Sequence, residues 1–206
     1  MKSKQYILLS ILLFFIFSFT NDNGNNKKRK IINSLYSIEL PLQWEPMKGM
    51  PGDGTIPGER EIKFFHLYYL AWSTPIRSLE DRFHTISLDI QSYQRTDGNP
   101  LSVKDVEELS LSKLNSPNIA ILKKIDLKGK ARQRRLVLIK NSKEMDGSIV
   151  KYRDFYLMQK NRNIVHCVNV CLREKQYHVS GTPSIIEDIL DSFSIVVKTE
   201  GRKNIE

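Results

Sequence analysis

The chain has 206 residues and a formal net charge of +9 at neutral pH. Hydrophobic residues make up 40% of the sequence and charged residues 27%, which excludes a disordered tail, a collagen-like repeat and a polytopic membrane protein. The two cysteines and four histidines are too few for a disulfide-dense miniprotein and offer little for metal or redox chemistry. The composition therefore predicts one ordinary globular domain.

The N-terminus has the pattern of a secretory signal. Lys2 and Lys4 precede an almost wholly apolar stretch over residues 7–19, which is shorter than the roughly 20 residues that a transmembrane helix needs. We therefore expect a signal peptide over residues 1–20 and an exported protein, periplasmic or extracellular. The alternative is an uncleaved segment that anchors the protein to the membrane.

A polar and basic segment follows the signal, over residues 21–33, and contains the run Lys27-Lys28-Arg29-Lys30. Such a run can bind nucleic acid, but an export signal argues against that function. The segment is predicted to be a solvated linker, which contacts anionic lipid headgroups if the anchor is retained. A single domain is then expected over residues 34–198, with a C-terminal tail over residues 199–206.

The first half of this domain is predicted to consist mainly of strands. Alternating apolar and polar residues indicate strands over residues 35–40 and 85–94, and an aromatic-rich run indicates another over residues 62–72. The glycines and prolines of residues 47–58 predict a loop. Ser78 is placed to cap a helical turn that ends at Phe83.

The second half contains two predicted helices and a run of strands. Ser102 and Asp105 form a capping-box-like start for a helix that continues to residue 115. Thr182 and Pro183 suit the start of a second helix with one apolar stripe. Strands are predicted over residues 119–128, 132–140, 149–160, 164–173 and 194–197. Because strands are grouped rather than alternating with helices, the sequence predicts an α+β fold, an antiparallel β-sheet with helices packed on it.

The sequence contains no recognisable catalytic or cofactor-binding motif. Patterns such as G-x-G-x-x-G, G-x-x-x-x-G-K-[ST] and G-x-S-x-G are absent. Cys167 and Cys171 lie in a stretch that favours a strand, where they would share a face but lie about 13 Å apart. Thiols at that distance can neither share one zinc ion nor form a disulfide. We therefore predict no catalytic residue, no cofactor-binding residue and no metal ligand.

The densest positive patch lies at a predicted hairpin turn and comprises Lys128, Lys130, Arg132, Arg134 and Arg135. The patch contains no aromatic side chains on which bases could stack, so nucleic acid is not the expected partner. The acidic partners to expect outside the cytoplasm are lipid headgroups, an anionic polysaccharide or an acidic protein. Alternatively, the charge only keeps an edge hairpin soluble.

Two segments resemble PsbP-like and DcrB-like domains. Near the start, Tyr36-Ser37-Ile38-Glu39-Leu40-Pro41-Leu42-Gln43-Trp44 matches their strand-Leu-Pro-x-x-Trp opening, and residues 156–195 match their closing hairpin, short loop, helix, Ser-Phe and strand. The resemblance covers residues 35–197. It implies an α/β/α sandwich and a binding or assembly module without catalytic activity. No metal or partner site of the plant proteins transfers, because no matching residues are present.

These observations together predict an exported, monomeric, non-catalytic binding or assembly module of the bacterial cell envelope. It would need no cofactor and would bind an unknown envelope protein or an anionic surface, not nucleic acid. One alternative is an envelope hydrolase in which the loop over residues 47–58 acts as a lid. The other is a membrane-tethered protein that keeps its N-terminal anchor.

Overall fold

The computed structural model describes residues 27–47, 64–95, 97–129, 133–144 and 146–196. In these ranges the chain forms ten strands and four helices. The strands are β1 (Lys28–Ile32), β2 (Tyr36–Pro41), β3 (Glu45–Pro46), β4 (Phe64–Ser73), β5 (Ser87–Arg95), β6 (Ile119–Leu127), β7 (Gln133–Lys143), β8 (Ile149–Asn161), β9 (Ile164–Arg173) and β10 (Ser194–Ile195). The helices are α1 (Leu79–Arg82), α2 (Val103–Ser112), α3 (Glu174–Tyr177) and α4 (Thr182–Ser192).

The strands form two antiparallel sheets. The main sheet has seven strands in the order β3-β4-β5-β9-β8-β7-β6. The small sheet has three strands in the order β1-β2-β10. This arrangement confirms the predicted α+β fold, in which consecutive strands pair as hairpins and helices pack on the sheet.

One face of the main sheet is covered by α4 and by the small sheet. Ile186, Ile189 and Leu190 lie at helical spacing on one side of α4 and are buried. They pack into a core that also contains buried residues of β2 and of the central strands: Tyr36, Ile38, Leu40, Leu157, Val168 and Val170. This face therefore holds the larger hydrophobic core.

The opposite face is covered in part by α2. Val106 of α2 is fully buried and packs with Leu136, Met158 and Cys167, which point away from the α4 side. Neighbouring residues of a strand point to opposite faces of a sheet, so β7 and β8 contribute to both cores. The main sheet is thus the middle layer of a sandwich, as the family resemblance implied.

The basic run at the N-terminus differs from its prediction. Residues 28–32 form β1 and pair with β2 instead of lying in a solvated linker. Arg29 donates a hydrogen bond to the Leu42 carbonyl at 3.2 Å and lies over the Trp72 ring. Long basic side chains can lay their aliphatic stems on apolar surface while the charge stays in water, so a charged run can still form an edge strand.

Several predicted boundaries lie outside the described residues. These are the signal peptide over residues 1–20, the tail over residues 199–206 and nearly all of the loop over residues 47–58. Among the residues that are described, no helix has the length and apolar composition needed to cross a bilayer.

Candidate functional site

A groove of about 990 Å³ runs beside α2, on the face of the main sheet that α4 does not cover. We call it the α2 groove. The described residues that line it come from α2, β6, β7, β8 and the β8–β9 turn: Val103, Lys104, Glu107, Glu108, Leu111, Lys124, Gln133, Arg134, Lys160 and Arg162.

The local sequence of α2 explains how it forms one wall of the groove. Ser102 Oγ accepts a hydrogen bond from the Asp105 amide at 3.1 Å, and Asp105 Oδ2 accepts one from the Ser102 amide at 2.8 Å. This capping box fixes the start of the helix. Val103, Glu107 and Leu111 follow at intervals of four residues, so they share one side of α2 and face the groove.

Glu107 ties α2 to the terminal strand β6 and to its neighbour β7. Its carboxylate accepts a hydrogen bond from Arg134 Nε at 2.9 Å and another from Lys124 Nζ. The hydrogen bond from Arg134 is the main reason why the pKa of Glu107 is lowered from its ordinary value. Arg134 also donates to Asp126 at 2.8 Å. Lys124 and Arg134 are therefore already neutralised by acidic neighbours.

Lys160 and Arg162 make no ion pair within the part of the chain that the structure describes. Lys104 lies 3.7 Å from Glu108 on the exposed surface of α2, a geometry that contributes little binding energy. In total, five cationic and two anionic side chains line the described part of the groove. The groove therefore carries a net positive charge that attracts carboxylate, phosphate or sulfate groups.

The structure divides the basic patch that the sequence indicated. Lys130 and Arg132 lie outside the described residues, and Lys128 is exposed after β6. Arg134 and Arg135 are neighbours on β7, so their side chains point to opposite faces of the sheet. Arg134 lines the α2 groove and Arg135 does not.

Arg135 contacts α4 on the other face. Its guanidinium donates to Glu187 at 3.3 Å and to Asp191 at 2.6 Å, and the residue is buried. The charge of Arg135 therefore links β7 to α4 and is not available to a binding partner. The part of the patch at Lys128, Lys130 and Arg132 stays a prediction.

Four cationic residues of the groove were not singled out from the sequence: Lys104, Lys124, Lys160 and Arg162. They belong to separate elements and converge only through the sheet register and the placement of α2. The turn at Asn161-Arg162-Asn163 was recognisable as a turn, but nothing in its sequence indicates which face it borders.

Among the described residues, one histidine contacts a serine in the core. Ser92 Oγ lies 2.8 Å from His166 Nδ1, and both residues are fully buried. Burial lowers the pKa of His166 to about 4, and no substrate can reach this pair in the described fold. His178, an exposed histidine, lies 3.6 Å from Glu174 at the end of α3.

A polar cluster lies on the α2 side of the sheet. Asp154 is fully buried and its Oδ2 accepts a hydrogen bond from Lys140. Burial raises the pKa of Asp89 to about 6, and Gln91 and Asn169 donate hydrogen bonds to its carboxylate at 2.9 and 3.2 Å. No group of three or more potential metal ligands occurs among the described residues.

The two cysteines lie on β9 and point to the α2 side, which confirms the predicted strand placement. Neither forms a disulfide. Burial raises the pKa of the Cys167 thiol to about 12 and that of Cys171 well above its ordinary value. Thiols that stay protonated are poor nucleophiles.

Comparison with known proteins finds solved structures with a similar fold, but no family model and no curated protein that matches the sequence. Among solved structures, LpqN of Mycobacterium tuberculosis, described as involved in cell envelope biogenesis, matches with a TM-score of 0.50 and 10% identity, over 88% of this chain and 97% of that chain.

Two further solved structures match at lower TM-scores. Cyanobacterial PsbP from Synechocystis sp. PCC 6803 has a TM-score of 0.48 and 13% identity, over 85% of this chain and 96% of that chain. A Bacteroides thetaiotaomicron VPI-5482 protein has a TM-score of 0.48 and 13% identity, over 84% of this chain. This chain spans about half the length of the Bacteroides protein, 50%.

At these identities the likeness concerns the fold alone. LpqN shares the sandwich described above. The fold expected from the resemblance of residues 156–195 and of the Leu-Pro-x-x-Trp segment is confirmed by the arrangement of sheets and helices. Leu40 and Trp44 of that segment are buried in the main core, where they set the fold.

Proposed function

We propose that the protein is an exported, non-catalytic binding or assembly module of the bacterial cell envelope, and that its α2 groove holds an anionic partner. The observation that carries this proposal is the positive charge of the groove, in which Lys160 and Arg162 make no ion pair among the described residues. The fold shared with LpqN, a protein involved in cell envelope biogenesis, supports an envelope setting. The sequence pattern of residues 1–20 supports export.

The distribution of ionisable groups favours binding over catalysis. The buried or half-buried residues with strongly shifted pKa values do not line the groove: Asp89, Tyr156, His166, Cys167 and Cys171. A general acid or base must reach the substrate, so a pocket that recruits none of these groups is better suited to holding a ligand.

Crosslinking in the native envelope tests the role of the groove. We place the photoreactive residue benzoylphenylalanine at Glu108 on the groove rim, or at the exposed Ser184 of α4 as the matched control. Adducts are expected at position 108 and not at position 184. Equal adducts at both positions, or none at either, would contradict the proposal.

Charge removal then tests whether the partner is anionic. Lys160→Gln and Arg162→Asn remove both charges, and asparagine tolerates the positive φ of 51° at residue 162. Adducts at position 108 are expected to decrease in this double variant, and also as salt is raised, because salt screens exposed charges. Adducts that persist under both changes would contradict an electrostatic groove.

N-terminal sequencing of the protein from its own cells tests export. We expect a mature start near Asn21, since the apolar stretch suits a cleaved signal. A mature protein that still begins at Met1 and sediments with membranes would instead support the tethered alternative.

A further inference from the structure

β6 leaves one edge of the main sheet open. Within the described residues it is the terminal strand and pairs only with β7. Its nine residues are exposed along most of their length, including the apolar side chains of Ile121 (45%) and Leu122 (51%). A terminal strand presents unpaired N–H and C=O groups, which form a template for another strand.

At the other end of the main sheet, the terminal strand β3 pairs only with Trp72 and Ser73 of β4 in the described residues. β3 has only two residues and ends at Pro46, which lacks an N–H group. Short strands and prolines are the usual means by which a sheet edge is protected. β6 is the terminal strand that borders the α2 groove, and it is long enough to pair with a further strand.

The charge along β6 indicates what kind of strand fits. Lys123 and Lys124 occupy its centre and Lys128 follows its end. Glu107 neutralises Lys124, and Arg134 neutralises the single acidic residue, Asp126. Lys123 and Lys128 make no ion pair among the described residues, so the free charge of this edge is positive.

We propose that β6 accepts an extended acidic segment of a partner protein, which adds to the main sheet as an eighth strand beside the α2 groove. Backbone hydrogen bonds to β6 would supply affinity, and acidic side chains near Lys123 and Lys128 would supply specificity. This inference rests on the proposed binding function and identifies the partner's binding segment.

The same lysines disfavour a second copy of this chain as the occupant. If two β6 strands paired antiparallel over their full length, residue 123 would face its own copy and place Lys123 opposite Lys123. Like charges directly opposite each other destabilise a strand pair. The charge of this edge therefore disfavours pairing of two β6 strands and favours pairing with an acidic strand.

A synthetic probe tests strand addition with the full-length chain. The probe is a fluorescent peptide of alternating glutamate and valine, and its controls are a lysine-valine peptide and a glutamate-valine peptide N-methylated at every residue. We expect the first to bind and the lysine peptide not to bind. The methylated peptide keeps the charge but loses its N–H donors, so it should bind at least about tenfold more weakly.

Hydrogen exchange and a charge-reversal variant test whether the probe binds at β6. The amide groups of β6 should gain hydrogen-exchange protection from the probe. Lys123→Glu should weaken binding about tenfold, while Lys175→Glu, an exposed matched control on α3, should leave it unchanged.

Three results would overturn the inference, and each is distinct from failure of the proposed function. Equal binding of the methylated peptide would show attraction by charge alone, which leaves a role for the groove. Absence of probe binding would exclude an acidic strand, while crosslinking at position 108 would still report on the groove. Concentration-dependent dimerisation that Lys123→Glu alters would identify a second copy as the occupant.

Discussion

Asp89 is a carboxylate that the fold holds partly out of water. Burial is the largest influence on its pKa and raises it, because burial disfavours the charged form. The nearby charge of Asp154 also raises this pKa. Hydrogen bonds from Gln91 and Asn169 and the charge of Lys113 oppose this effect but do not cancel it. The ionised side chain is therefore tolerated at a cost to the folded state.

This cost predicts how Asp89 contributes to stability as pH changes. Its folded pKa of about 6 exceeds its ordinary value of 3.8, so its contribution is fully present below pH 3.8 and is lost as pH rises through 6. Between pH 5 and pH 7 this amounts to about 1 kcal/mol. The test is urea unfolding of wild type and of Asp89→Asn at both pH values. The free energy of unfolding of the variant should rise relative to that of wild type between pH 5 and pH 7. A difference independent of pH would contradict this assignment.

His166 acts in the opposite sense. Burial lowers its pKa from 6.5 to about 4, so the folded state resists protonation and stability falls as pH decreases from 6.5 towards 4. The expected loss between pH 7 and pH 5 is about 2 kcal/mol. The double variant His166→Phe with Ser92→Ala removes both hydrogen-bond partners together and should flatten this decrease. An unchanged slope in unfolding experiments would assign the acid sensitivity to other groups.

At the scale of elements, α2 is the helix that builds the groove, and its start depends on one hydroxyl. Ser102→Ala removes the acceptor for the Asp105 amide and should cost about 1 kcal/mol of stability. Ser112→Ala, in the last turn of the same helix, is the matched control and should change stability by less than about 0.5 kcal/mol. Chemical unfolding measures both, and similar effects for the two variants would contradict a specific role of the cap.

The elements were largely predictable because each carries a local pattern. Alternation indicated β2 and β5, and the spacing of Ile186, Ile189 and Leu190 indicated α4. β1 was not predicted, because its lysines and arginine look like solvated residues until β2 is present to pair with them. The helix start was displaced by one residue, since Gly181, with a φ of 83°, occupies the cap position predicted for Thr182.

The candidate site was less predictable than the elements. The hairpin charges looked like one patch in sequence, yet Arg134 and Arg135 lie on opposite faces of β7. Lys160 joins the groove from a distant strand. Which side chains converge depends on register and on the placement of α2, and a single sequence encodes neither directly.

At the scale of the whole molecule, the two faces of the main sheet differ in how they are closed. The small sheet joins β2 to β10, so residues near both ends of the described chain meet over the α4 side. β2, the central strand of this sheet, is buried along most of its length and contributes to the larger core. The α2 side keeps a groove and an open edge, so the side with less cover is the one suited to a partner.

This asymmetry predicts that the small sheet stabilises the entire domain. Ile38 of β2 is fully buried, whereas Ile32 of β1 is 63% exposed. Ile38→Ala should lower the free energy of unfolding by about 2 to 5 kcal/mol through the cavity it leaves, and Ile32→Ala should change it by less than about 0.5 kcal/mol. Hydrogen exchange gives a second criterion: Ile38→Ala should reduce protection in β8 and β9 as well as in β2, because one core joins them. Loss of protection confined to β1, β2 and β10 would mean that the small sheet unfolds independently and that the main sheet and α2 are stable without it.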